Sequence, residues 1–88
     1  MSHCFVYIVR CSDGTLFTGI AAQLRTIVQE VNRGRGSAYT RSRLPVFLAY
    51  SEEYMNEHDA KKRQAVIQKM DREEKERLIS LEHLKVIE

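Results

Sequence analysis

The feature that most constrains the fold is a run of β-branched and aromatic residues, CFVYIVR, at positions 4–10. Residues of these types favour an extended strand. A second run, LFTGI at 16–20, follows closely, and between the two lies Asp13-Gly14, a dipeptide that adopts the positive φ of a tight turn. Any fold of this chain is therefore expected to contain an antiparallel β-hairpin built from these two runs.

A short amphipathic helix is predicted next. In GIAAQLRTIVQEVN, at 19–32, four apolar residues recur at i, i+3, i+4 and i+7, the spacing of one helix face. These residues are Leu24, Ile27, Val28 and Val31. Asn32 and Gly34 tolerate the left-handed conformation that ends helices, so we expect the helix to span about 24–32.

The middle of the chain predicts a loop and a third strand. Residues 33–45 show no periodicity and contain two glycines and the only proline, which is typical of a loop. The apolar run VFLAYS at 46–51 follows directly after Pro45, a residue that can precede a strand but cannot sit inside one. We therefore expect a strand over 46–51.

Two further helices are predicted near the end of the chain. Asn56 can cap the start of a helix over about 57–70. Asp71 and Glu74 form a capping box, which begins a final helix over about 72–81.

The resulting order, ββαβαα, predicts an α+β fold with a three-stranded antiparallel sheet flanked by helices. The 88 residues suffice for a single domain, 1–88, with its core at about 4–80. Residues 81–88 are expected to form a C-terminal tail, which either frays or adds a short strand.

The chain is expected to be a cytoplasmic protein. No apolar run approaches the roughly 20 residues that span a bilayer, and the first residues lack the basic region of a signal peptide. Cys4 and Cys11 lie near opposite ends of the first strand, too far apart for a disulfide, which indicates free thiols in a reducing compartment. His3, His58 and His83 are scattered and predict no zinc site.

Positive charge concentrates in the first part of the chain. Residues 1–51 hold six arginines and two acidic residues, whereas 52–88 hold eight basic and ten acidic residues. Four of the arginines lie in the predicted loop, namely Arg33, Arg35, Arg41 and Arg43. Guanidinium groups on a loop can bind phosphates and Tyr39 can stack on an exposed base, so these five residues predict a nucleic-acid contact. A solvated surface or simple loop packing would account for the same residues without a ligand.

Several short motifs occur in a fixed order along the chain. Val6-Tyr7-Ile8 and Phe17-Thr18-Gly19 stand at two strand motifs, and Arg10-Cys11 with Asp13-Gly14 forms a turn motif between them. The pattern continues at Asn32, Gly34, Gly36, Tyr39-Thr40-Arg41, Arg43, Pro45-Val46, Leu48, Tyr50, Glu52, Ala60, Arg63, Ala65, Ile67, Lys69, Arg72 and Lys75. On these residues the chain resembles the GIY-YIG nuclease superfamily, in particular its small stand-alone bacterial members of the Slx-like, UPF0213 type.

This resemblance implies the GIY-YIG fold and metal-assisted phosphodiester hydrolysis. In that mechanism a tyrosine activates water, an arginine on the first helix stabilises the phosphate, and a glutamate on a later helix holds a divalent cation, Mg²⁺ or Mn²⁺. The first tyrosine is retained as Tyr7. The other positions are occupied by Phe17 for the second tyrosine, Thr26 and Ile27 for an arginine pair, Val31 for a histidine and Gln64 for the glutamate.

These replacements predict impaired or absent catalysis. An isoleucine cannot stabilise an anion, and the neutral amide of Gln64 is a poor ligand for a hard dication, so no metal is expected. Losing one electrostatic stabiliser typically costs about 10²–10³ in rate, and here several are missing together. A relocated site remains open through Glu52 and Glu53 after the third strand and Arg63 beside Gln64.

Three functions follow from these observations. The first, which we expect, is a module that binds nucleic acid without cleaving it, with DNA as the expected partner. The second is an active structure-specific DNA endonuclease that uses Mg²⁺ or Mn²⁺ at a relocated site. The third is a protein-interaction or homodimerisation module that uses an apolar former cleft at Phe17, Ile27 and Val31, unless these side chains simply fill the core.

Overall fold

The computed structural model describes the backbone of residues 3–87 and the side chains of residues 3–81. Its elements are β1 (Cys4–Arg10), β2 (Leu16–Ala21), α1 (Leu24–Glu30), α2 (Ala38–Arg41), β3 (Phe47–Tyr54), α3 (Glu57–Gln68) and α4 (Arg72–Ile87). The strands form one antiparallel sheet in the order β2-β1-β3, which confirms the predicted α+β architecture. Over the described range, no helix combines the length and apolar character needed to cross a bilayer.

The first two strands form the predicted hairpin. Gly14 has a φ of 87°, and Asp13 Oδ1 accepts hydrogen bonds from the Thr15 backbone N–H at 3.1 Å and from the Thr15 hydroxyl at 2.6 Å. The turn sets the register of β1 against β2 and places Tyr7 opposite Gly19. The hairpin prediction is therefore confirmed, including its turn residues.

Helix α1 is shorter than predicted. It ends at Glu30, and the chain continues through a wider π-type turn, Val31–Arg35. Gly34 supplies the expected left-handed conformation inside this turn, with a φ of 85°. The prediction that one helix runs to Asn32 was wrong. In a π-type turn the backbone keeps winding in a helical sense, but it does not form the hydrogen bonds of an α-helix.

The predicted loop over 33–45 contains helix α2, so that prediction was wrong for Ala38–Arg41. Ser37 caps this helix by accepting a hydrogen bond from the Thr40 N–H at 3.3 Å. The buried Thr40 hydroxyl in turn donates to the Ser37 carbonyl at 3.0 Å. A helix of four residues is too short to show a hydrophobic period, so the pattern of apolar residues carries no sign of it.

The third strand and the third helix are present with different ends. Strand β3 runs to Tyr54 and not only to Ser51, because it pairs with β1 up to the contact between Cys4 and Tyr54. Helix α3 begins after Asn56, which caps it as predicted, and ends at Gln68, slightly earlier than predicted.

The final helix is longer than predicted. Asp71 and Glu74 form the expected reciprocal capping box, with N–H···O distances of 2.8 and 3.0 Å. The helix then continues to Ile87, so the tail expected over 81–88 is helical as far as the backbone is described, and residue 88 lies outside that range. Leu81, Glu82, Leu84 and Lys85 in this stretch have high helix propensity, which favours the continuation.

Strand β1 is buried on both of its faces. The α3 cluster, under α3 and α4, comprises the buried residues Cys4, Val6, Ile8, Tyr50, Ala60 and Ile67. The α1 cluster, under α1 and the π-type turn, comprises Tyr7, Val9, Cys11, Val31 and Val46. The two cysteines belong to different clusters and are free thiols, as predicted.

An amide bridge fastens the π-type turn to the start of β3. Asn32 Nδ2 donates to the Val46 carbonyl at 3.0 Å, and the Val46 N–H donates to Asn32 Oδ1 at 2.7 Å. Val46 is only 1% exposed, so water cannot readily replace these bonds. The bridge therefore holds Val31 and Val46 together over the face of the sheet that carries Tyr7.

We predict that Asn32→Ala lowers the free energy of unfolding by about 2–3 kcal/mol, because two buried backbone groups of Val46 lose their partners. Urea unfolding followed by circular dichroism measures this loss. Gln29→Ala truncates an exposed amide on α1 and is the matched control, with an expected change below about 0.5 kcal/mol. Equal effects of the two substitutions would contradict the structural role of the bridge.

Candidate active site and nucleic-acid interface

Tyr7, the retained tyrosine, lies in the α1 cluster and is 4% exposed. Its ring stands directly against Gly19, where an added Cβ would come within 2.5 Å of the Tyr7 hydroxyl oxygen and 2.7 Å of its Cζ. Any larger residue at position 19 would displace the tyrosine. Burial raises the pKa of the Tyr7 phenol, which moves it further from the near-neutral value that suits a general base.

Apolar side chains occupy the positions at which an arginine and a histidine were expected. Val31 is 3% exposed inside the α1 cluster, and Ile27 and Phe17 pack against that cluster as partly buried side chains. The three side chains therefore extend the core, which was one of the two readings that the sequence left open. Ile27 also lines a shallow depression of about 280 Å³, together with Thr26 and Glu30.

Gln64, at the expected metal-binding position, lies on α3. It follows Ala60 by four residues and precedes Ile67 by three, so it shares their face of the helix. Both of those residues are 0% exposed in the α3 cluster, on the opposite face of the sheet from Tyr7. The structure thus gathers Tyr7 with the apolar replacements Phe17, Ile27 and Val31, whereas Gln64 belongs to the helix that covers the other face.

Two of the predicted nucleic-acid-binding arginines share one carboxylate. Arg35 Nη1 donates to Glu30 Oε1 at 2.8 Å, and Arg33 Nη1 donates to Glu30 Oε2 at 3.3 Å. The hydrogen bond from Arg35, supported by the charge of both arginines, holds the pKa of Glu30 below its usual range. Glu30 was not predicted as a partner of these arginines, although the i, i+3 spacing of Glu30 and Arg33 is a signal that indicates such a pair.

A stack of side chains packs the arginine-rich segment against the hairpin. The Arg43 guanidinium carbon lies 3.8 Å from the centroid of the Tyr39 ring, and that ring stacks with Phe17 at a centroid distance of 5.9 Å. Arg43 also donates to the Tyr39 carbonyl at 2.8 Å and pairs with Asp13 at 3.1 Å. Arg43 and the ring of Tyr39 are therefore already engaged within the fold.

Arg41 differs from the other predicted contact residues. It lies at the C-terminal end of α2 and is exposed to solvent. Among the side chains that the structure describes, none forms a hydrogen bond or an ion pair with its guanidinium group. Arg41 is consequently the arginine of this segment that is most available to an external phosphate.

Comparison with known proteins identifies the family. The model of the GIY-YIG catalytic domain matches residues 3–80 of the chain. The chain belongs to the GIY-YIG family. Within it, a UPF0213 protein of Staphylococcus aureus is 48% identical over 75 residues, which cover 85% of this chain and 92% of the relative. The resemblance seen in the sequence is therefore confirmed at the level of the UPF0213 group.

Solved structures of similar proteins support the GIY-YIG fold. The UPF0213 protein BH0048 from Bacillus halodurans has a TM-score of 0.59 and 29% identity, covering 90% of this chain and 84% of its own. The protein EF2693 from E. faecalis has a TM-score of 0.62 and 30% identity, covering 96% of this chain and 88% of its own. Both are solution NMR structures.

GIY-YIG nucleases generally depend on a divalent metal ion, but the donor set of this chain does not fit one. Gln64 offers a neutral amide, and the nearby carboxylate of Glu52 is already occupied. Glu52 accepts hydrogen bonds from Arg63 Nε at 2.9 Å, from the Tyr54 hydroxyl at 2.6 Å and from the Tyr50 hydroxyl. Among the described residues, no three Asp, Glu, His or Cys side chains are grouped so that they could hold a metal.

The carboxylates considered for a relocated GIY-YIG site are thus committed to other partners. Glu53 pairs with His3. Glu52 joins β3 to α3 through Arg63, with Glu52 only 18% exposed. Burial opposes ionisation of Glu52, but the hydrogen bonds from Arg63 and the two tyrosines outweigh it, so the pKa of Glu52 is lowered.

A lowered pKa means that ionised Glu52 stabilises the fold above the usual glutamate range, and that this contribution is lost as the pH falls through the folded-state pKa. We predict that Glu52→Gln lowers the free energy of unfolding by about 2 kcal/mol at neutral pH, because Arg63 loses a partly buried partner. The difference from wild type should shrink in acid. Urea unfolding at several pH values measures this difference. Glu73→Gln, which breaks an exposed pair with Arg77, is the control, and a pH-independent cost of Glu52→Gln would contradict the assignment.

Proposed function

We propose that this GIY-YIG protein binds nucleic acid without cleaving it. The observation that carries the proposal is the hydrocarbon environment of Tyr7: Ile27 and Val31 pack where the family pattern places an arginine and a histidine. The family relation supports a nucleic-acid partner in general, because GIY-YIG nucleases act on nucleic acid.

The absence of cleavage follows from the requirements of phosphodiester hydrolysis. The reaction needs a group that accepts a proton from water and positive charge that stabilises the pentavalent phosphate. The raised pKa of Tyr7 opposes the first requirement. Ile27 cannot supply the positive charge, and Gln64 and Glu52 do not offer a suitable site for a cation that could replace it.

Binding would rest mainly on guanidinium groups that are open to solvent. Arg41 is exposed and the side chains of Arg33 and Arg35 are 63% and 67% exposed, so all three can contact a phosphate backbone. Tyr39 and Arg43 would support the binding surface by keeping the segment folded against the hairpin. Contacts to phosphates depend on charge and not on base sequence, so we propose that the protein binds DNA without sequence specificity.

The proposed place of action is the cytoplasm, which the free thiols of Cys4 and Cys11 support. The two alternative functions have less support. A relocated nuclease site would have to release Glu52 from Arg63 and the two tyrosines. An interaction surface at the former cleft would have to use Val31, which is buried in the α1 cluster.

We predict that the wild-type protein does not nick plasmid or branched DNA in Mg²⁺ or Mn²⁺. The comparison is the triple variant Ile27→Arg, Val31→His and Gln64→Glu, which restores the residue types of the family pattern. Because Val31 is buried, a thermal melt first establishes that this variant folds. Metal-dependent cleavage by the wild type that disappears in Tyr7→Phe would overturn the proposal.

We further predict that Arg41→Ala weakens DNA binding about three- to tenfold. The slope of log affinity against log salt should also become shallower, by the amount expected for the loss of about one phosphate contact. Thermal stability should not change, because the side chain has no described partner. Fluorescence anisotropy with labelled DNA at increasing salt measures both quantities. Arg77→Ala removes the same charge from α4 and should leave the affinity unchanged; undetectable binding of the wild type at low salt would refute the proposed function.

A further inference from the structure

A single carboxylate, that of Glu30, holds two of the arginines proposed to bind DNA. Each of its oxygens accepts from a different guanidinium, Oε1 from Arg35 at 2.8 Å and Oε2 from Arg33 at 3.3 Å. The side chain of Glu30 is 30% exposed, so the two pairs lie at the surface where a phosphate can reach them.

The backbone brings the two arginines to the same acceptor. They flank Gly34, whose φ of 85° places a kink within the π-type turn. Glu30 lies at the end of α1, directly before this turn. The arrangement is therefore set by the local fold and does not depend on a distant element.

Guanidinium groups donate the same kind of charge-assisted hydrogen bond to a carboxylate oxygen and to a phosphate oxygen. The Glu30 carboxylate, which accepts one such bond on each oxygen, therefore resembles a bound phosphate. We infer that Glu30 competes with the phosphates of nucleic acid for Arg33 and Arg35 and so limits the affinity of the binding surface. This inference rests on the proposed function, because it names the residue that regulates the same surface.

The competition affects ligands differently according to their charge. A lone phosphate can accept from both guanidinium groups, but it offers only a single anionic group in exchange for the Glu30 carboxylate. A nucleic-acid backbone presents successive phosphates, so it can engage Arg33 and Arg35 together with Arg41. We therefore expect tighter binding to a polyanion than to a mononucleotide, and tighter binding of both ligands when the Glu30 carboxylate is removed.

The expected gain is limited, because exposed ion pairs of this kind are weak. Replacing Glu30 by glutamine removes the charge and keeps the size of the side chain. We expect Glu30→Gln to bind DNA about three- to tenfold more tightly than the wild type. The slope of log affinity against log salt should steepen by about one to two phosphate contacts, because two more guanidinium groups become available.

The test is fluorescence anisotropy with a labelled DNA oligonucleotide, in single-stranded and duplex form, at increasing salt. Four proteins are compared: wild type, Glu30→Gln, Glu30→Gln combined with Arg33→Ala and Arg35→Ala, and Glu73→Gln. The last removes an acid from an Arg–Glu pair on α4, which covers the opposite face of the sheet, and is the matched control. Glu30→Ala provides a second way of removing the carboxylate if the glutamine variant is unstable in a thermal melt.

The inference is supported if removal of the Glu30 carboxylate tightens binding, if Glu73→Gln does not, and if the two alanine substitutions abolish the gain. Equal affinities of the wild type and Glu30→Gln would overturn the inference and leave the proposed function standing. Binding by Glu30→Gln alone would support the competition while refuting DNA binding by the wild type. Absence of binding by every variant would refute both.

Discussion

The burial of strand β1 on both faces is the constraint on which the rest of the fold depends. Val6 and Ile8 are fully buried under α3 and α4. Under α1 and the π-type turn, Val9 is fully buried and Tyr7 is almost so. A central strand of this kind needs apolar cover on each side. On the side of Tyr7 that cover comes from short elements, and Ile27 on α1 and Val31 in the π-type turn both contribute to it.

The arginine-rich segment combines structural and exposed residues. Asn32 fastens the segment to the start of β3, and Gly36 lies so close to Thr40 Oγ1 that a Cβ would come within 2.8 Å of it. Arg43 clamps Tyr39. Much of the GIY-YIG pattern in this segment is thus explained by packing alone, and the case for nucleic-acid binding rests on the exposed guanidinium groups, chiefly that of Arg41.

The sequence predicted those parts of the fold whose signals are local. The Asp13-Gly14 turn and the caps at Asn56 and Asp71 depend on neighbouring residues and were found. Helix α2 and the full length of β3 were missed, because a four-residue helix has no period and the end of β3 is set by pairing with β1. The apolar replacements of the site were visible as residue types, whereas the sharing of Glu30 by two arginines required the path of the chain around Gly34.

We propose that Tyr7 is a core residue whose phenol is not activated as a general base. This proposal can be tested by titrating the four tyrosines by NMR of Cζ-labelled protein, with Tyr7→Phe to assign the signal. We predict that Tyr7 titrates above the ordinary tyrosine value of about 10, because burial disfavours the phenolate. A Tyr7 pKa close to neutrality would contradict it and would indicate an activated phenol of the kind that a working nuclease requires.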